Sequence, residues 1–286
     1  MNTDDRMAGA IFEDEWLSLR EPLDHASRAH GLARASATDL ARRGRRAPHV
    51  VDLGTGTGSN PRYLARFLPP DTRWHLVDND AAHLERLAAT YGSGARPTLH
   101  CRDLAEPLAP ILAAADLVTA AALIDLVSAA WIDELATAVS AIGAALLVAM
   151  SVDGHIRFTG PVDNDDGPLL DALAQHQRRD KGLGAALGTA APATLINAMA
   201  ARGHVVTAMP TSWHIDARHE RLADMLLAGW AEAAGQAWPA DETRFAAWAR
   251  RRHADIAAGR TRLLVGHVDV LALPAQARPG ARRSRS

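Results

Sequence analysis

The chain has 286 residues, of which 48% are hydrophobic and 22% charged, and a formal net charge of −2. This is the composition of a soluble globular protein long enough to bury one large core. Its single cysteine, Cys101, excludes a disulfide framework and a cysteine-built zinc site, and its balanced charge gives none of the broad positive field that favours nucleic acid. No apolar run reaches the roughly 18 residues of a membrane span. The N-terminal Asp4 and Asp5 do not suit a signal peptide, so a cytoplasmic protein is expected.

In chain order, residues 1–46 read as a helical lead-in, with Trp16, Leu17, Leu19, Leu23, Ala26, Leu32 and Ala35 at approximately helical spacing and Pro22 opening a new helix. From residue 48 the pattern alternates. Strands are predicted at 50–53, 74–77, 98–101, 117–121 and 145–150, and helices at 60–68, 81–91 and 130–142, with a shorter irregular piece at 104–114. This βαβα rhythm, with short and continuously apolar strands, predicts a doubly wound α/β sheet covered on both faces. Residues 153–190 break the rhythm with a helix at 169–176 and a glycine-rich loop at 182–188. A helix at 191–201, a strand at 204–209, helices at about 217–235 and 241–258, and a last strand at 262–273 complete the chain. The domain reading is a helical cap over 1–46, a core over 47–274 with insertions at about 153–190 and 214–260, and a disordered basic tail over 275–286.

The chemistry starts at Val51-Asp52-Leu53-Gly54-Thr55-Gly56-Thr57-Gly58. A buried strand runs into a glycine turn of the form G-x-G-x-G, and Ser59 stands where a dinucleotide-binding turn has its third glycine. The leading carboxylate, Asp52, suits the ammonium of S-adenosylmethionine (SAM), directly or through water. Asp78 ends the next strand and is placed to take both ribose hydroxyls. Asp103 follows the third strand and can accept from the adenine amine, with Leu104 flanking the ring.

These segments, with Leu76-Val77-Asp78-Asn79, Cys101-Arg102-Asp103-Leu104 and the run from Asp116 to Asp125, resemble the class I SAM-dependent methyltransferases of the small-molecule type. The resemblance is close over about 48–150 and elsewhere rests on strand order. It implies a seven-stranded sheet whose last strand runs antiparallel beside the fifth. It also implies SAM as cofactor, S-adenosylhomocysteine (SAH) as product, and cofactor contacts at Arg20, Asp52, Gly54, Thr55, Gly56, Gly58, Asp78, Asn79, Asp103, Leu104 and Ala121.

The acceptor side is read from scattered polar residues. After the fourth strand the chain has Ala120-Ala121-Ala122-Leu123, with no proline or aromatic to seat a nucleobase. Asp125 is read as a base or an orienting carboxylate, or alternatively as a cap of the helix near Ser128. Arg20 is read as a partner of the methionine carboxylate or as a surface ion pair, and His25 as facing the acceptor or as a helix-face histidine. His176, Arg179 and Lys181, the only lysine, are read as a lid over an anionic acceptor. For Arg178 the helix dipole is the preferred reading. Trp16, Trp131 and Trp213 are read as lining the acceptor pocket or, as is commoner for tryptophan at helical spacing, as core, and the tryptophans of 217–258 as a homodimer surface. No metal ligand set is apparent. The expected activity is in-line methyl transfer to the oxygen or carbon of a small anionic or polar metabolite. A tRNA or protein methyltransferase and a non-catalytic SAM-binding subunit are the alternatives.

Overall fold

Seven strands form one sheet in the order β3-β2-β1-β4-β5-β7-β6. The structure is a computed structural model that describes residues 3–91, 96–179 and 182–275, with side chains from residue 15. The strands are β1 His49–Leu53, β2 Arg73–Asp78, β3 Thr98–Cys101, β4 Leu117–Ala121, β5 Ala145–Thr159, β6 Val205–Ile215 and β7 Arg262–Leu273. The first five run parallel, and β7 lies antiparallel between β5 and β6. This is the Rossmann-like arrangement with a reversed last strand that the sequence predicts.

The helices are α1 Thr3–Ser27, α2 His30–Arg42, α3 Ser59–Leu64, α4 Ala81–Thr90, α5 Ala109–Leu112, α6 Ala129–Ile142, α7 Asp166–Gln177, α8 Ala191–Ala201, α9 Glu220–Ala237 and α10 Glu242–Ala257. Val51, Leu53, Val118 and Val148 bury one sheet face against α5, α6 and α8, while Val50, Leu117 and Leu147 bury the other against α2 and α3. A third core gathers Trp213, Val265, Phe245 and Trp248 between the long strands β5, β6 and β7 and the helices α7, α9 and α10. Trp248 is fully buried there, and Trp230 and Trp238 pack at its margin. Among the described residues no helix is long and apolar enough to cross a membrane.

The structure corrects two expectations. Pro22 lies inside α1 rather than opening a helix, and the chain breaks at Arg28-Ala29 instead. The strands β5 and β6 also overrun the predicted ends at 150 and 209, to Thr159 and Ile215. Asp153-Gly154, at the start of the stretch read as breaking the rhythm, falls at a bulge: the β5–β7 register shifts between Val148 and Ser151 and again between Val152 and Ile156. Beyond it, Ile156 and Phe158 resume alternation against the third core.

Burial pulls His267 down to about 4, well below the ordinary imidazole value, with the Arg20 charge adding to it. The folded chain therefore binds fewer protons at this site than the unfolded chain between pH 6.5 and about 4. The stability it contributes is complete above pH 6.5 and falls as the pH drops through that window. Thermal melts from pH 7.5 to 4.5 should show a steeper loss of Tm for the wild type than for His267→Gln. Parallel curves would remove His267 from the acid response.

Candidate functional site

The glycine turn is built by backbone geometry and two carboxylates. Gly58, at φ +81°, starts α3, and a Cβ there would stand 2.5 Å from the Leu87 side chain, so the left-handed turn and the close helix both require glycine. Asp78 leaves β2 with Oδ2 accepting from Gly56 N at 2.7 Å and Oδ1 from Asp80 N at 3.0 Å, which clamps the turn to the next strand. Asp52 lies beneath. It is 1% exposed, and its Oδ1 accepts from Asn60 Nδ2 at 2.6 Å and Thr119 Oγ1 at 2.5 Å. Its Oδ2 is buried without a partner among the described residues, and burial pushes the carboxyl above the usual range against the pull of those bonds.

Above the turn is a cavity of about 560 Å³. Its floor is the C-terminal edge of the parallel strands: Asp103 and Leu104 after β3, Asp78 and Asn79 after β2, Gly54 to Gly56 after β1, Ala121 and Ala122 at β4, and Met150 in β5. Ala122 and Met150 hold left-handed backbones at φ 51° and 55°, conformations that non-glycine residues rarely take. Ala122 N donates to Ala149 O at 2.9 Å, and Met150 N to Asp269 Oδ1 at 2.9 Å, so each kink is pinned by a bond to the neighbouring strand. The roof is α1, through Leu17, Arg20, Asp24 and His25, continued by Arg28 at the α1–α2 break. Gly182 and Leu183 close one side.

Arg28 joins the roof to the floor. It is 6% exposed, donates to Asn60 Oδ1 at 2.9 Å and to Asp269 Oδ2 at 3.3 Å, and lies 4.2 Å over the Tyr63 ring. Asp269, in β7, also accepts from Ala29 N and from the Thr211 hydroxyl. Farther along α1, Arg20 donates from Nε to Asp24 Oδ2 at 2.8 Å, and Trp213 Nε1 donates to Asp24 Oδ1 at 2.9 Å.

Residues 50–143 match a family model described as a methyltransferase domain. Among solved structures, a cyclopropane-fatty-acyl-phospholipid synthase-like protein from Lactobacillus casei superposes with a TM-score of 0.52 at 16% identity, over 85% of this chain and 91% of that one. An O-methyltransferase family protein from Burkholderia thailandensis gives 0.48 at 15% identity, over 96% of this chain and 62% of that one. The cyclopropane synthase MmaA2 from Mycobacterium tuberculosis gives 0.43 at 13%, over 82% and 83%. These likenesses are of fold. A search of curated proteins finds no match. Residues 50–143 thus resemble a methyltransferase domain, set in a fold shared with the cyclopropane-fatty-acyl-phospholipid synthase-like protein.

A methyltransferase domain implies SAM as cofactor, and the residues present fit it. The side-chain-free turn at Gly54 and Gly56 lines the cavity, and the buried Asp52 behind it, with Oδ2 lacking a partner among the described residues, suits an ammonium-bearing, phosphate-free ligand. Of the residues singled out from the sequence, Arg20, His25, Gly54, Thr55, Gly56, Asp78, Asn79, Asp103, Leu104 and Ala121 share the cavity wall. Asp52 and Gly58 stand behind it.

Three acceptor-side expectations are corrected. Asp125 sits half-buried in the turn Ile124–Leu126, whose neighbours Leu123 and Leu126 line the wall while it does not. Nor does it cap α6, because the Ser128 hydroxyl accepts from Trp131 N. His176 and Arg179 form no lid: both bond Gln236, which fastens α7 to α9. Trp131 is core, its indole N–H donating to Leu104 O. Lys181 lies outside the described residues, as does the tail from 276.

Arg28, Asp24, Asn60 and Asp269 were not singled out. Asp269 carried a signal, since an acid within Val268-Asp269-Val270 of an apolar strand needs a buried partner. Removing that partner alone leaves an uncompensated buried charge, so Asp269→Leu should cost about 3–5 kcal/mol in urea unfolding. Arg28→Met/Asp269→Leu should recover part of the loss. A single-variant cost below about 1 kcal/mol would show that the pair carries no such charge balance.

Proposed function

We propose that the methyltransferase alkylates a small anionic or polar acceptor at oxygen or carbon. The observation that carries this reading is the cavity's order along the sheet. Its carboxylates and glycines on β3, β2 and β1 suit adenine, ribose and methionine in turn, and its two arginines stand in α1 and at the end of α1, over the remainder.

In this reading Asp103 and Leu104 take the adenine, Asp78 and Asn79 the ribose, and Asp52, Gly54, Thr55 and Ala121 the amino end. Arg28 is placed for the methionine carboxylate, because its field already acts on Asp52 and it bonds Asn60 beside the turn. When bound, SAM supplies a sulfonium methyl that needs no further activation. Transfer of that methyl to the acceptor's lone pair would leave the S–C bonding pair on sulfur, as SAH. The protein's task is to align acceptor and methyl and to exclude water.

An acceptor hydroxyl must also lose a proton, and His25 is the residue we assign to that step. Its Nε2 lies 3.1 Å from both Ser59 O and Ser59 Oγ. A bond to the carbonyl makes Nε2 the donor and leaves Nδ1 as the basic nitrogen. Burial pulls its pKa below the ordinary value, so the imidazole is neutral at pH 7.

Calorimetry with SAH should show one saturable site, and [methyl-³H]SAM should label an acidic fraction of a metabolite extract. SAH binding without any labelling would make the chain a non-catalytic binder, and no SAH binding would overturn the whole reading. With a labelled acceptor, kcat should fall on the acid side of pH 6.5. His25→Gln should lower it by about 100-fold and abolish that limb; an unchanged pH profile would acquit His25.

A further inference from the structure

The helix α1 carries two different rows of side chains, and Leu17 and His25 of one and Arg20 and Asp24 of the other line the cavity. One row faces the glycine turn. Leu17 Cδ1 lies 3.9 Å from where a Gly56 Cβ would be, Glu21 pairs with Arg62 of α3, His25 meets Ser59, and Arg28 follows the helix to meet Asn60. The other row is Trp16, Arg20 and Asp24, spaced four apart and therefore stacked on one side of the helix. It faces β6 and β7, at the opposite end of the sheet from Asp103. Asp24 receives the indole N–H of Trp213 in β6, and the Arg20 charge acts on His267 in β7.

Arg20 is fixed within this second row. Its Nε and Nη2 bond the two Asp24 oxygens at 2.8 and 3.4 Å. Its guanidinium lies 5.9 Å from the Trp16 ring centroid and 5.1 Å from that of Trp213, and those two rings meet edge to face at 6.1 Å. The Arg20 and Asp24 side chains are 15% and 14% exposed, and both line the cavity. Asp24 thus occupies one side of the guanidinium fork. The end-on edge remains, and Nη1 has no hydrogen-bond partner among the described residues. A guanidinium oriented by a buried carboxylate and two indoles, with its second bidentate edge open, is built for a planar two-oxygen anion.

We propose that Arg20 anchors a carboxylate of the methyl acceptor, held in place for it by Asp24, Trp16 and Trp213. This rests on the proposed methyl transfer and narrows the acceptor to a carboxylic acid. It also removes Arg20 from the donor site. Arg28 lies eight residues along, about 12 Å down the helix axis, on the row that faces the glycine turn. The methionine carboxylate is thus assigned to Arg28 and the acceptor carboxylate to Arg20.

The test uses the full chain saturated with SAH, with benzoate as probe and benzyl alcohol as its uncharged control, followed by calorimetry or ligand-detected NMR. Benzoate should bind at least tenfold more tightly than benzyl alcohol. Arg20→Lys, which keeps the charge but loses the planar fork, should weaken benzoate at least tenfold. It should leave benzyl alcohol and SAH within twofold. Asp24→Asn, which frees the guanidinium to rotate, should weaken benzoate severalfold with SAH unchanged, and it serves as the second variant if Arg20→Lys folds poorly by thermal melt. Equal binding of the two probes, or benzoate affinity unaffected by both variants, overturns the proposal. A tenfold loss of SAH affinity in Arg20→Lys also overturns it, by returning Arg20 to the donor. If SAH fails to bind the wild type, the methyltransferase site itself is wrongly read, a result distinct from the others.

Discussion

The buried ion pair between Arg28 and Asp269 is the constraint on which the site depends. Asp269 is 1% exposed in the centre of an apolar strand, where an unpaired carboxylate would be untenable. It is satisfied by groups from four elements: the Arg28 guanidinium, Ala29 N at the start of α2, Met150 N in β5 and the Thr211 hydroxyl in β6. One charge thereby sets the angle of the break between α1 and α2, holds the strained Met150 in its left-handed conformation and ties three adjacent strands. Arg28 then passes the constraint to Asn60, and Asn60 to Asp52 and Thr119. The roof and the floor of the cavity are joined by a single run of charge-assisted bonds, so α1 is registered to the glycine turn to within a hydrogen-bond length.

The sheet order explains why the cavity lies where it does. Chain connections leave β1 toward β2 on one side and reach β4 on the other, which opens a crevice at the carboxyl ends of the strands. Glycines after β1 keep the floor low, Asp78 clamps the turn, and the kinked residues Ala122, just past β4, and Met150, within β5, complete the floor. The antiparallel β7 lets β5, β6 and β7 extend beyond the parallel strands and carry a second core. That extension gives α1 an apolar wall to lie against on its Trp16 side, while its Leu17 side covers the glycine turn.

What was legible in the sequence follows this division. The parallel half was readable because its central strands are buried on both faces and its cavity-lining carboxylates sit at strand ends, where spacing alone locates them. Asp78 and Asp103 are of this kind. The extended strands were shortened in the reading because their distal halves lose the continuous burial of the parallel strands, and only the pairing with β7 carries them on. On the acceptor side, side chains such as His176 and Arg179 look chemically suggestive, but their use depends on which helix they meet, and they meet α9. Asp24 and Arg28 looked like ordinary helix charges, and Arg20 was read only toward the methionine carboxylate. Their importance comes from the neighbours Trp213, Asn60 and Asp269, which lie 32 to 241 residues away in sequence.

Nearly every charge around the cavity is already partnered inside the protein, and this bears on specificity. Arg20 is balanced by Asp24 and Arg28 by Asp269, so the cavity does not draw in anions through net charge. What remains is direction: one unused oxygen on Asp52 and one open edge on Arg20. A group whose first partner is supplied by the fold is held still, and its second bond costs little further ordering. Discrimination then rests on whether a ligand matches a fixed geometry. A freely rotating lysine in place of Arg20 would keep the charge and lose that match. The row of α1 that meets the glycine turn and the row that meets Trp213 therefore separate two recognition tasks on one helix, and the Arg28–Asp269 pair keeps both in register.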